Sequence, residues 1–77
     1  MTRKEFLNKL EDALQLDYEL SEDTLLENIE EYDSLGLLSI TTLYSVLFDI
    51  YVQGKTLLEC KSVADLIDLI PIDKLED

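Results

Sequence analysis

Histidine is absent from the 77 residues, which removes the commonest general base and the commonest metal ligand. The only cysteine, Cys60, cannot close an internal disulfide, and without histidine it lacks the usual partner of a catalytic thiolate. Its expected role is that of a small buried apolar residue. Two glycines and one proline leave few chain breakers, and with 47% hydrophobic residues the composition favours packed helices over a disordered tail. No run approaches the roughly 18 apolar residues of a membrane span. Residues 1–6 lead into a charged amphipathic segment rather than an apolar signal core, so a cytoplasmic protein is expected.

Basic residues are scarce as well. Six Lys and Arg stand against 18 Asp and Glu, giving a net charge of -12. That balance works against binding nucleic acid phosphates and against adsorption to anionic membranes. It attracts basic partner surfaces and disfavours self-association, so a monomer with a basic protein partner is expected. Solubility alone explains the excess acid equally well.

The length suits one compact domain over residues 1–77, which buries only about 60% of its unfolded surface and leaves little room for a deep catalytic cavity. Thr2 with Glu5 three positions later forms a capping box. Phe6, Leu7, Leu10, Ala13 and Leu14 follow at helical spacing, predicting an amphipathic helix to about residue 16. Residues 17–33 hold eight acids and no base, with Tyr18, Leu20, Leu25, Leu26 and Ile29 scattered among them. They read as a long loop with one short turn near residues 21–26, and loops of that length tend to be functional.

A helix over about residues 34–52 comes next. On a wheel, Leu35, Leu37, Ile40, Leu43, Tyr44, Val46, Leu47, Phe48, Ile50 and Tyr51 occupy an arc of roughly 220°. Such a helix is expected at the centre of the fold, with Gly54 as its C-cap. Residues 56–59 offer at most one helical turn. Ser62 with Asp65 opens a last helix through Val63, Leu66, Ile67, Leu69 and Ile70, which Pro71 stops. The fold class is all-α: a small four-helix bundle of three main helices and one short one, with a long first loop.

Ser34 falls in the first turn of the central helix, on its narrow polar arc, where the hydroxyl should face water. Asp33 is a good N-cap residue, and an anion attached to Ser34 would lie near the positive end of the helix dipole, worth about 0.3–1 kcal/mol. Gly36 should leave the approach to the hydroxyl uncrowded. With no base or oxyanion donor beside it, Ser34 is poorly equipped as a nucleophile of its own and reads as a position modified by another enzyme. Leu38 lies about 40° from Ser34 on the wheel, either an ordinary surface leucine or an apolar contact for a docking partner.

Asp33-Ser34-Leu35 followed by Gly36-Leu37-Leu38-Ser39-Ile40 resembles the phosphopantetheine attachment motif of acyl carrier proteins. The resemblance extends over essentially the whole chain: its size, its acidity, the long first loop, and the terminal segment Ser62-Val63-Ala64-Asp65-Leu66-Ile67. It implies that a phosphopantetheinyl transferase, using Mg²⁺ and coenzyme A, joins Ser34 to 4′-phosphopantetheine through a phosphodiester. The arm would carry an acyl or aminoacyl group as a thioester from a loading enzyme to downstream transferases or synthases, so the chain would itself be no enzyme. Asp33 and Leu35 match the motif and should help the transferase recognise the site.

The chain departs from that family in one respect. Carriers of fatty acid synthesis usually bear several acids along the second helix, whereas here it has Ser39, Thr41, Thr42 and Ser45 and no acid before Asp49. A dedicated carrier in a specialised lipid or secondary-metabolite pathway fits at least as well. The competing reading is an unmodified acidic helical adaptor that binds a basic protein. A resident metal is not expected, since the acids of residues 17–33 do not follow the order of an EF-hand loop.

Overall fold

Reciprocal hydrogen bonds start the first helix. In the computed structural model, which describes residues 1–76, the Glu5 N–H donates to Thr2 Oγ1 (3.1 Å) and the Thr2 N–H to Glu5 Oε1 (3.0 Å). Helix α1 (Arg3–Leu14) then buries Phe6, Leu10 and Leu14, one residue per turn along a single stripe. It stops two residues before the expected end, because Gln15 turns left-handed at φ 57°.

The acidic segment that follows is tied down by backbone rather than by side chains alone. Glu11 Oε2 accepts from the Leu20 N–H (2.8 Å), fixing the start of the loop to α1. Ser21 and Thr24 close a short turn, and a 3₁₀ turn follows at Leu26–Asn28. The loop also pairs with a distant part of the chain. Leu26 N–H donates to Lys61 O (2.9 Å), and Val63 and Ala64 N–H donate to Thr24 O and Glu22 O (both 3.0 Å). Leu20, Leu26 and Ile29 are buried beneath it, while Tyr18 and Leu25 stay largely exposed.

Helix α2 (Ser34–Phe48) ends four residues before the expected limit, at Asp49, which takes a left-handed conformation at φ 56°. Asp is one of the few side chains that tolerates this region, so it fills the C-cap role assigned to Gly54. Gly54 instead begins α3 (Gly54–Glu59), a six-residue helix longer than the single turn expected there. Helix α4 (Val63–Asp68) is equally short. Asp65 Oδ2 accepts from the N–H groups of Lys61 (2.8 Å) and Ser62 (3.2 Å), supplying the acidic half of its capping box. After Pro71 the chain forms a 3₁₀ turn, Ile72–Lys74. The bundle thus has two long and two short helices, not three main helices and one short one.

The core gathers around three rings. Phe6 of α1 meets Tyr44 and Phe48 of α2 at centroid separations of 5.6 and 5.9 Å, and those two lie 6.0 Å apart, all tilted. Two tyrosines tie elements together: the Tyr44 hydroxyl donates to Leu66 O in α4, and the Tyr32 hydroxyl to Leu57 O in α3. Burial pushes both phenols well above their ordinary range. Among the described residues no strand forms, and no helix is long and apolar enough to cross a membrane.

Helix α2 is not covered on the whole of its apolar arc. Only Gly36, Ile40, Tyr44 and Phe48 are buried, with Leu37, Leu43 and Leu47 half-buried. Leu35 (77% exposed), Val46 (76%) and Tyr51 (80%), expected in the core, face outwards. One long and two short neighbours cannot surround a helix this apolar in so small a domain.

Candidate functional site

Everything that positions Ser34 acts on its backbone. Asp33 Oδ1 accepts from the Gly36 N–H (3.0 Å), and the Asp33 carbonyl accepts the first helical bond, from Leu37 N–H (2.8 Å). The aspartate therefore caps the helix from both its side chain and its backbone, as its residue type predicts. Like the opening residues of any helix, Ser34 and Leu35 have no intrahelical acceptor for their N–H groups. Ser34 itself is exposed.

Gly36 serves a different purpose from the one expected. It is buried, and a Cβ there would collide with the Glu31 carbonyl oxygen and stand 3.0 Å from Leu14 Cδ2. The missing side chain makes room for the acidic loop to cross the first turn of α2, not for access to the Ser34 hydroxyl. Glu31, Asp33, Leu35 and Gly36 consequently line one cleft with Leu14 and Ser39. Carboxylates of the loop thus stand beside the first turn of α2, although the helix itself carries none.

Ser34 itself lines a different and larger open cleft of about 470 Å³. It runs along α2 past Leu37, Leu38, Thr41, Thr42 and Ser45 to Tyr51 and Gly54, where the chain leaves α2 for α3. Leu38 (64% exposed) also lines an apolar groove with Ala13, Leu43 and Val46, so it forms the ridge between the two depressions. Of the four sequence-selected residues, Asp33, Ser34, Leu35 and Leu38 all fall on exposed surface around the start of α2. Tyr51 and Val46 were missed because the wheel assigns both to the core. The signal available was their distance from the Ile40–Tyr44–Phe48 stripe, which only the packing of α1 singles out.

Cys60 lies apart from this surface. It is half-buried, its thiol donates to Thr56 O (3.5 Å), and burial with the nearby Asp65, Glu59 and Asp68 carboxylates pushes the thiol up. A protonated, partly covered thiol makes a poor nucleophile. Among the described residues no three Cys, Asp or Glu side chains converge as metal ligands. Comparison with family models, curated proteins and solved structures finds no match to this chain.

Proposed function

We propose that this chain is a carrier protein, modified at Ser34 with 4′-phosphopantetheine and handed between enzymes. One observation carries the reading: a single exposed serine hydroxyl in the first turn of a 15-residue helix whose opposite face is locked into the core. The local chemistry fits the group. A phosphodiester on Ser34 Oγ would lie at the positive end of α2, near N–H groups that no intrahelical carbonyl satisfies. When attached, the arm supplies a terminal thiol that holds an acyl or aminoacyl group as a thioester.

The chain's own residues provide the platform. Asp33 fixes the first turn, so the transferase meets a preformed serine and bears little ordering cost. Leu35 and Leu38 give an apolar contact beside it, and Glu31 and Asp33 add negative charge for basic partners. The absence of acids along α2 favours a dedicated pathway over general fatty acid synthesis. In an unmodified adaptor the same apolar and acidic surface would bind a basic protein directly.

Intact-mass spectrometry after incubation with coenzyme A, Mg²⁺ and a broad-specificity transferase separates the readings. The carrier gains one phosphopantetheine per chain, and Ser34→Ala gains none. An unchanged mass with several transferases would favour the adaptor.

A further inference from the structure

We propose that Met1 is an oxidation site, and that its conversion to the sulfoxide frees a C-terminal strap, residues 71–76, from the rest of the bundle. The site is independent of Ser34. Leu14, which would abut a Cβ at Gly36, ends α1, and Met1 lies beyond the other end of that helix, about 18 Å away at 1.5 Å per residue.

After Pro71 the chain has little of its own to hold it down. The Lys74 N–H donates to Pro71 O (2.9 Å) and the Leu75 N–H to Ile72 O (3.4 Å), both within the strap, and Ile72 is 90% exposed. Met1 grips the strap from outside. Its α-amino group donates to Lys74 O (3.1 Å) and pairs with Glu76 Oε1 (3.1 Å), and its carbonyl accepts the Glu76 N–H (2.9 Å). The Glu76 side of that ion pair is 69% exposed, so the pair alone contributes little. The Met1 side chain, only 17% exposed, packs against the core, as Leu75 does. That packing keeps the polar groups of residue 1 where the strap can use them.

Met1 is the single methionine of the chain. A hydroperoxide transfers one oxygen to its thioether: the O–O bond breaks, an S–O bond forms, the sulfur is oxidised and the peroxide leaves as water or an alcohol. A thioether needs no deprotonation for this step. Cys60, the other sulfur, reacts as the thiolate, and burial with neighbouring carboxylates holds its thiol protonated. The sulfoxide is polar, so its place against the core becomes unfavourable, and Met1 leaves with the hydrogen bonds that its backbone makes to the strap.

Hydrogen peroxide treatment of the ¹⁵N-labelled full chain, with the added oxygen located by tandem mass spectrometry, tests the site. Expected are one oxygen on Met1 and about tenfold faster amide exchange at Glu76, whose N–H loses its acceptor together with part of an apolar contact, while the amides of α2 keep their rates. The two methionine sulfoxide reductases, one for each epimer, should restore the slow rate. A chain with norleucine in place of Met1 keeps the shape without the sulfur; it should match the untreated rate and stay unchanged in peroxide. An oxygen on Cys60 with Met1 intact, or a Met1 sulfoxide whose Glu76 amide exchanges as before, overturns the proposal.

Discussion

Replacing Gly36 by alanine should destabilise the protein, although the same change inside most helices stabilises it. Helix propensity alone favours Ala over Gly by about 1 kcal/mol. Here the added Cβ would strike the Glu31 carbonyl oxygen and press Leu14 Cδ2 at 3.0 Å. The first is backbone, held by a segment that Tyr32 anchors to Leu57 through its hydroxyl, so it cannot swing aside as a side-chain tip would. Overpacking of this kind typically costs about 1–3 kcal/mol. The larger values dominate when the obstacle is backbone, so the net expectation is a loss of about 1–2 kcal/mol, or about 4–16 °C in Tm for a domain this small.

Gly54 provides the control. A Cβ there meets nothing within 4 Å, and its φ is not positive. Gly54→Ala should therefore stabilise, by about 0.4–1 kcal/mol, through the unfolded chain. Urea denaturation followed by circular dichroism at 222 nm measures both variants. Opposite signs are expected; a Gly36→Ala protein as stable as wild type would mean that the loop does not press on α2, and the placement of the Glu31 backbone against Gly36 would fall with it.

Leu38→Ala should leave the urea midpoint within about 0.5 kcal/mol of wild type, since the side chain is mostly exposed, while weakening binding to a partner measured by calorimetry. Tyr44→Phe should cost about 0.5–1.5 kcal/mol, because the Leu66 carbonyl loses a buried donor and keeps only the Leu69 N–H (3.2 Å). Burial raises the Tyr44 phenol in the folded protein, so the stability it contributes is complete below the unfolded value of about 10 and declines above it, by at most about 1.4 kcal/mol per pH unit. A Tyr44→Phe protein should show a shallower alkaline decline in thermal scans; an equally steep one would place the sensitivity elsewhere. Association with a basic partner should slow steeply between low and physiological salt in stopped-flow measurements, as a net charge of -12 requires, and a salt-independent rate would assign recognition to the apolar ridge alone.

The starts of α1, α2 and α4 were legible in this sequence; the start of α3 and the ends of α1 and α2 were not. Thr2 with Glu5, Asp33, and Ser62 with Asp65 are short-range signals whose partners lie within four residues, and each opens a helix where expected. The end of α2 is hidden because Ile50, Tyr51 and Val52 continue the apolar pattern past Phe48, and no glycine or proline marks Asp49. Only the packing of Ile50 and Val52 against the bundle makes that turn worthwhile. The loop was legible as a loop, but its pairing with residues 61–64 joins segments far apart in the chain and leaves no local trace. The wheel likewise gives the width of an apolar arc without saying which part a neighbour covers. For that reason Leu35, Val46 and Tyr51 were assigned inwards, and the Ser34 cleft was invisible beforehand.

Charge and apolar contact are separated on this surface, and the separation has a kinetic consequence for the proposed function. The acids gather in the loop, where Glu31 and Asp33 share a cleft with Leu35 and Gly36 of the first turn of α2, while the exposed side of α2 offers Leu35, Leu38 and Val46 with no charge among them. Rim charges act mainly on encounter, through long-range steering, whereas apolar contacts buried at the centre of an interface act mainly on its lifetime. A protein that must meet several enzymes in turn, and leave each one, needs fast encounter more than long residence. Three exposed aliphatic side chains bury too little surface to hold a partner for long, and the strong negative field compensates by raising the rate of arrival. Keeping the acids in the loop leaves the face of α2 neutral, so the loop steers partners while the helix face stays free for the group proposed on Ser34.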